Sequence, residues 1–289
     1  MAEGFDQIVK DLLMAEELMD DEYVRADVTD AYSAVSKPAI WGLLSRTYLY
    51  MGEWQKCADY ATKVIECGQF NMFTESQLPN VWGSDASDGG EVIFEVFGDQ
   101  KNYYNEYWED ISWMTSPSGY ADVASTADLR DLYEEGDVRG SLFVSHKEAP
   151  DHFWTTKYKA KDPTARPSYA NIVVIRLSEM YLNRAEALAR GAAIAGATAD
   201  NDLLTITSNR GASPVTATID NILLERRKEL AFEGHLVYDM ARTGTSLHRV
   251  DYQGAADAKD IEFPSYRWAL PIPKGEMDAN PNMVQNDGY

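Results

Sequence analysis

The stretch Ile222 to Gly244, ILLERRKELAFEGHLVYDMARTG, sets the tightest condition on how this chain folds. At 3.6 residues per turn, Ile222, Arg226, Glu229 and Glu233 fall along one stripe of a helix, and Ile219, Leu223 and Leu230 along an adjoining one. Charged groups therefore border the apolar seam of a core-facing helix. An ion held that close to a core persists only when it is paired and hydrogen-bonded. The segment carries both signs, Glu225, Glu229, Glu233 and Asp239 against Arg226, Arg227 and Arg242, so a network satisfied from within it is expected. The neighbouring arginines keep Glu225 and Glu229 ionised, which argues against a general acid at this place.

Helical punctuation is clearest near the start. Phe5, Ile8, Leu12, Ala15 and Met19 recur at helical spacing and predict an amphipathic helix over residues 3 to 19. Ser36 is positioned to cap a helix that has Pro38 in its first turn, runs to about Met51 and stops at Gly52. A second helix follows from Glu53 to about Cys67 and ends at Gly68, so the two must pack as an antiparallel hairpin. Trp41, Leu44, Tyr48 and Gly52, with small Ala58 and Ala61 at the helix contact, match the pattern of a tetratricopeptide (TPR) unit. A second helical pair is predicted from residues 172 to 190, with Val174, Tyr181, Ala185 and Leu188 inward, and Leu203 to Ser208 as part of its partner. Between the pairs, Val92 to Phe97 reads as a short strand, Thr126 to Glu134 as a helix and Trp154 to Lys159 as an extended piece. From Ala255 onward the chain reads as loop.

Composition narrows the function classes. A chain of 289 residues with 45% hydrophobic residues buries a large core, as one large domain or two ordinary ones. It contains no apolar run near the roughly 18 residues of a membrane span. The net charge of −21 repels polyanions, which excludes nucleic acid and disfavours an anionic membrane surface. The N-terminus is acidic and amphipathic, unlike a signal peptide. Cys57 and Cys67 lie about 15 Å apart along one helix, too far for a disulfide, and are expected to be free, buried thiols. His146, His152, His235 and His248 form no metal-ligand spacing, and no phosphate loop, dinucleotide fingerprint or nucleophile elbow occurs, so no metal and no cofactor is expected. The nearest approach to a calcium loop, GSDASDGGE with Asp85, Asp88 and Glu91, lacks the EF-hand order and reads as a solvated acidic turn.

One cluster is left over. KNYYNEYWEDISWMTSPSGY brings Tyr103, Tyr104, Tyr107, Trp108, Trp113 and Tyr120 together with Asn102, Asn105 and Asp110. Sugar rings stack their flat C–H faces on Trp and Tyr while their hydroxyls bond amides and carboxylates. The same rings at helical spacing also serve as plain core packing. Both readings stay open here. The Pro, Gly and Ser that follow favour an ordered surface loop.

Taken in order, the blocks resemble the SusD/RagB family of starch-utilisation-type outer-membrane lipoproteins from Bacteroidetes. The resemblance runs through FDQIVKDLLMAEELM, KPAIWGLLSRTYLYMGEWQKCADYATKVIECG, EVIFEVF, STADLRDLYEEGDVRGSLF, VVIRLSEMYLNRAEALA, ILLERRKELAFEGHLVYDMARTG and LPIPKGEMDANPNMVQNDGY, which is essentially the whole chain. It implies a mostly α fold of TPR-like helical pairs, a SusD-like α-α superhelix, with an irregular loop-rich region and a few short strands. The expected division of this single domain, 1–289, is helices with a TPR-like pair over 1–70, a loop-rich insertion with ligand loops over 71–170, and a second helical pair with the C-terminal motifs over 171–289. Family members normally start with a signal peptide, a lipidated cysteine and an earlier helical pair; none is present, so a fragment or a shortened natural relative is expected. Leu236 stands where the family commonly has arginine, so Glu233 or Asp239 is expected to pair differently.

The function implied is a non-enzymatic, cell-surface glycan-binding protein that hands an oligosaccharide or polysaccharide to a SusC-like TonB-dependent outer-membrane transporter. It would sit on the extracellular face of the outer membrane, touching the membrane only through a lipid anchor absent from this sequence. Trp82, Tyr103, Tyr104, Tyr107, Trp108 and Trp113 are the candidate ligand-binding residues, chosen on the local aromatic argument and their place in a family-variable insertion. The alternatives are a helical-repeat interaction module without sugar binding and a glycoside hydrolase.

Overall fold

The computed structural model describes residues 2–20, 31–83, 90–99, 110–162, 164 and 169–289. The chain divides into two compact units, Met1–Glu233 and Gly234–Tyr289. In the first, α1 (Ala2–Leu18) lays Val9, Leu12 and Ala15 against the hairpin of α2 (Lys37–Met51) and α3 (Trp54–Glu66). The expected punctuation is present. Ser36 Oγ accepts the Ala39 amide at 3.4 Å, and Gly52 ends α2 with φ 73°, a left-handed value that glycine adopts without cost. Ala58 and Ala61 are fully buried where α3 meets its neighbours.

The middle of the unit is less regular. It comprises β1 (Val92–Val96), the single turns α4 (Ile111–Met114) and α5 (Ala127–Arg130), the hairpin of β2 (Phe143–His146) and β3 (Ala149–Thr155), and β4 (Ile172–Arg176). Then come α6 (Leu177–Ala189), α7 (Ala199–Ser208) and α8 (Ile219–Glu229). α6 packs on α3, α7 and α8, and its Leu182 and Ala185 share a core with Leu203, Ile206 and Ile222.

Five expectations are corrected. Residues 172 to 176 form a strand rather than the start of a helix, because the β-branched run Ile-Val-Val-Ile pairs antiparallel with β1, Phe94 opposite Ile175 and Val96 opposite Ile172. Ile175 then faces α2, where a Cβ on Gly42 would sit 3.0 Å from its Cγ2. The helix expected over 126 to 134 shrinks to α5, and the extended piece expected over 154 to 159 ends at Thr155. Cys57 is buried and Cys67 only half-buried, both as free thiols. The helix expected across 222 to 244 stops at Glu229, since Phe232 (φ 67°) and Gly234 (φ 81°) take left-handed conformations.

The second unit begins after that break, with α9 (Leu236–Thr243) capped by left-handed Gly244, the two-residue pair β5 (Leu247–His248) and β6 (Asp260–Ile261), and α10 (Lys274–Ala279). Residues after Ala255 thus hold more structure than a loop. Among the described residues no helix is long and apolar enough to cross a membrane.

The charged stripe of α8 is buried as expected, but its partners come from elsewhere. Glu229 is paired with Arg139 at 3.0 Å, Arg210 at 2.8 Å and Arg176. Arg176 also meets Glu91 at 3.0 Å and Glu233 at 2.8 Å, Arg210 meets Glu91, and Arg139 meets Asp137 at 2.7 Å and Glu225. Lys157 Nζ reaches Glu233 at 2.6 Å. Glu91, assigned from sequence to a solvated turn, is fully buried; Asp85 and Asp88 lie outside the described residues. Arg226 donates to Asn183 at 2.7 Å and Arg227 pairs with Asp128, while Asp239 and Arg242 pair with each other at 2.7 Å. The segment is therefore not self-satisfied, because one α8 face meets four other stretches of chain.

Burial pushes the Glu233 carboxyl upward, but Arg176 and Lys157 overcome it and hold it at about 2. Glu229 is pushed up by burial in the same way and held well below the usual carboxylate range by Arg210, Arg176 and Arg139.

Glu229→Ala leaves three guanidinium groups facing a void and should cost about 3–5 kcal/mol in urea unfolding; a loss below about 1 kcal/mol contradicts a buried network. Both carboxyls have folded pKa values below the unfolded 4.5, so their stabilisation is complete above that pH and drains away as pH falls from 4.5 toward 2. A thermal midpoint that stays level across that window contradicts the assignment.

Candidate functional site

Tyr103, Tyr104, Tyr107 and Trp108 lie outside the described residues, as do Asn102 and Asn105. Trp82 does not offer a face to solvent. It is 5% exposed, packs with Phe73, Leu78, Val92 and Leu142, and has Lys157 Nζ 4.9 Å and Arg176 Cζ 5.5 Å from its ring. That corrects its selection as a surface stacking residue, since it shields the ion network instead. Trp82, Phe73, Val81 and Arg176 line a small pocket, and the indole Nε1 has no hydrogen-bond partner among the described residues.

Trp113 sits on a surface built by a tight turn. Asp110 caps α4 by accepting the Ser112 amide at 2.7 Å, which orients Trp113 one residue later. The chain then doubles back, with the Tyr120 amide donating to the Trp113 carbonyl at 3.0 Å and the Val123 amide to Met114 at 3.3 Å. This brings the Tyr120 ring edge-on to Trp113, with centroids 6.2 Å apart at 74°. Tyr120 is 49% exposed and Trp113 half-buried. Gly119 is required for the approach, because a Cβ there would lie 2.2 Å from the Trp113 carbonyl oxygen.

Strand β3 supports this turn from below. Buried Trp154 donates its indole N–H to the Ala121 carbonyl at 3.1 Å, and the Ser125 amide donates to Phe153 at 2.7 Å. Exposed His152 stacks on Trp154 with centroids 6.1 Å apart at 28°. The aromatic cluster contains Tyr120 in sequence, but its pairing with Trp113 depends on a turn that spacing does not reveal. Trp154 carries no sequence signal at all, because its role depends on strand pairing. Among the described residues no group of three or more His, Cys, Asp or Glu could hold a metal ion. Chemically, the turn offers aromatic faces beside carbonyl and carboxylate oxygens, an arrangement suited to stacking and hydrogen bonding.

Residues 149–289 match the model of the SusD family. The starch-binding protein SusD of Bacteroides thetaiotaomicron is 31% identical over 141 residues, which is 47% of this chain and 25% of that protein. A solved protein of Bacteroides vulgatus superposes on 100% of the chain with a TM-score of 0.86 and 32% identity, and a SusD superfamily protein from Bacteroides thetaiotaomicron on 99% with a TM-score of 0.81 and 33% identity. This is a SusD-like chain. Its mostly α architecture of paired helices with few short strands is the one those SusD-like structures share. The chain spans 66% of each of the two solved relatives and a quarter of the curated one.

The turn of this SusD-like chain makes a local prediction. Gly119→Ala should break the Trp113–Tyr120 contact, change the near-ultraviolet circular dichroism and cost about 1–3 kcal/mol. An unaltered aromatic spectrum contradicts the close packing described.

Proposed function

We propose that the protein binds an oligosaccharide on the surface presented by Trp113 and Tyr120. The observation that carries this reading is the exposed Tyr120 ring standing edge-on to half-buried Trp113 over a turn fixed by hydrogen bonds. Support comes from the likeness to the starch-binding SusD and to a SusD-like carbohydrate-binding protein of Bacteroides vulgatus, which has 25% identity and a TM-score of 0.79. The role is capture rather than catalysis. Glu91, Glu229 and Glu233 are buried in ion pairs, where a hydrolase acid would have to reach solvent and substrate.

The bound sugar passes to a SusC-like TonB-dependent transporter at the outer face of the outer membrane. The second unit favours a protein partner, because α9 exposes Leu236, Val237 and Tyr238 in succession. The same observation supports the rival reading of an interaction module, which the sugar titration separates from this one.

Isothermal titration with maltoheptaose, followed by a broad oligosaccharide panel, tests the proposal. Trp113→Ala and Tyr120→Ala should each weaken binding by about tenfold, the loss of one stacking face. Affinity unchanged in both variants removes the site, and silence across the whole panel removes the function.

A further inference from the structure

Segment 113–125 carries half-buried Trp113 and exposed Tyr120, and β3 holds its far end. The Ser125 amide and hydroxyl both donate to the Phe153 carbonyl, and the Trp154 indole N–H donates to the Ala121 carbonyl at 3.1 Å. Ala121 has φ 56°, a left-handed conformation that a residue with a Cβ rarely adopts. It directly follows Tyr120, and its peptide orientation fixes how the Tyr120 ring leaves the turn. The Trp154 hydrogen bond falls on that same residue.

Trp154 is itself held rigidly. It is buried, pairs with Val144 across the β2–β3 hairpin, and lies three residues before Lys157, whose Nζ donates to the Glu229 carbonyl at 2.8 Å and to Glu233. The indole N–H is therefore a fixed donor on a strand anchored in the ion network.

We infer that Trp154 is a positioning residue for the ligand surface: through its Nε1–H it keeps Ala121 left-handed and so sets Tyr120 against Trp113. The inference rests on the binding surface proposed above. It assigns to Trp154 an action through another residue, with no contact to the sugar.

Replacing Trp154 by 3-benzothienylalanine separates this role from simple packing, because sulfur takes the place of the indole N–H while the two fused rings keep their shape in the core. Hydrogen exchange of the intact chain, monitored at the Tyr120 and Val123 amides, should quicken by about tenfold in that variant while α2, α3 and α6 keep their protection. Maltoheptaose affinity should fall by about five- to tenfold, the worth of one hydrogen bond. A ring that only fills space predicts neither change. Unchanged exchange at Tyr120 and Val123 overturns the inference whatever the ligand result. Faster exchange with affinity retained within about twofold, in a protein that Trp113→Ala weakens, overturns the link to binding and leaves the site standing. If Trp113→Ala and Tyr120→Ala leave affinity untouched, the binding reading falls and this inference with it.

Discussion

The Glu229 carboxylate accepts hydrogen bonds from three arginines that reach it from three separate parts of the chain, and the first unit is arranged around that convergence. Arg139 lies in the 3-10 turn Val138–Leu142, Arg176 closes β4 and Arg210 follows α7. Around them Glu91, Asp137, Glu225, Glu229 and Glu233 face Arg139, Lys157, Arg176, Arg210 and Lys228, so five carboxylates meet five cations. Replacing such a network by hydrocarbon of similar volume is often neutral, so its value does not lie in net stability. It acts through exclusion: any packing that displaces β4, α8 or the 137–142 turn strands a bare ion in the interior.

That constraint explains which parts of the fold were legible. The α2–α3 hairpin was readable down to its cap and its stop because Ser36, Pro38 and Gly52 act on their own neighbours. The α8 stripe was readable as buried and charged, since helical periodicity reports which face is hidden. Its partners were not readable. Arg139 lies 90 residues before Glu229, and no local pattern marks such a pair. Residues 172 to 176 were misread for a related reason: Ile-Val-Val-Ile runs straight into a true helix, and only pairing with β1 separates strand from helix there.

The candidate surface divides along the same line. Composition located the aromatic cluster, because rings of that density are uncommon whatever they do. Composition could not tell which rings face outward. Trp82 and Trp113 look alike in sequence, yet one is covered by Lys157 and Arg176 and the other borders an exposed tyrosine. Exposure follows from the turn at Gly119 and from β3, both tertiary in origin. The break at Phe232 and Gly234 was missed because Phe232, an ordinary aromatic residue, takes a left-handed conformation for which sequence gives no cue.

The order of the ion network along the chain bears on what α8 contributes to closure. Glu91, Arg139, Arg176 and Arg210 all precede Glu229 in the chain. Without α8, three guanidinium groups would gather around a place that lacks its central anion, and water would have to stand in for it. Docking of α8 exchanges that water for a single carboxylate, so one helix decides whether this part of the interior is dry.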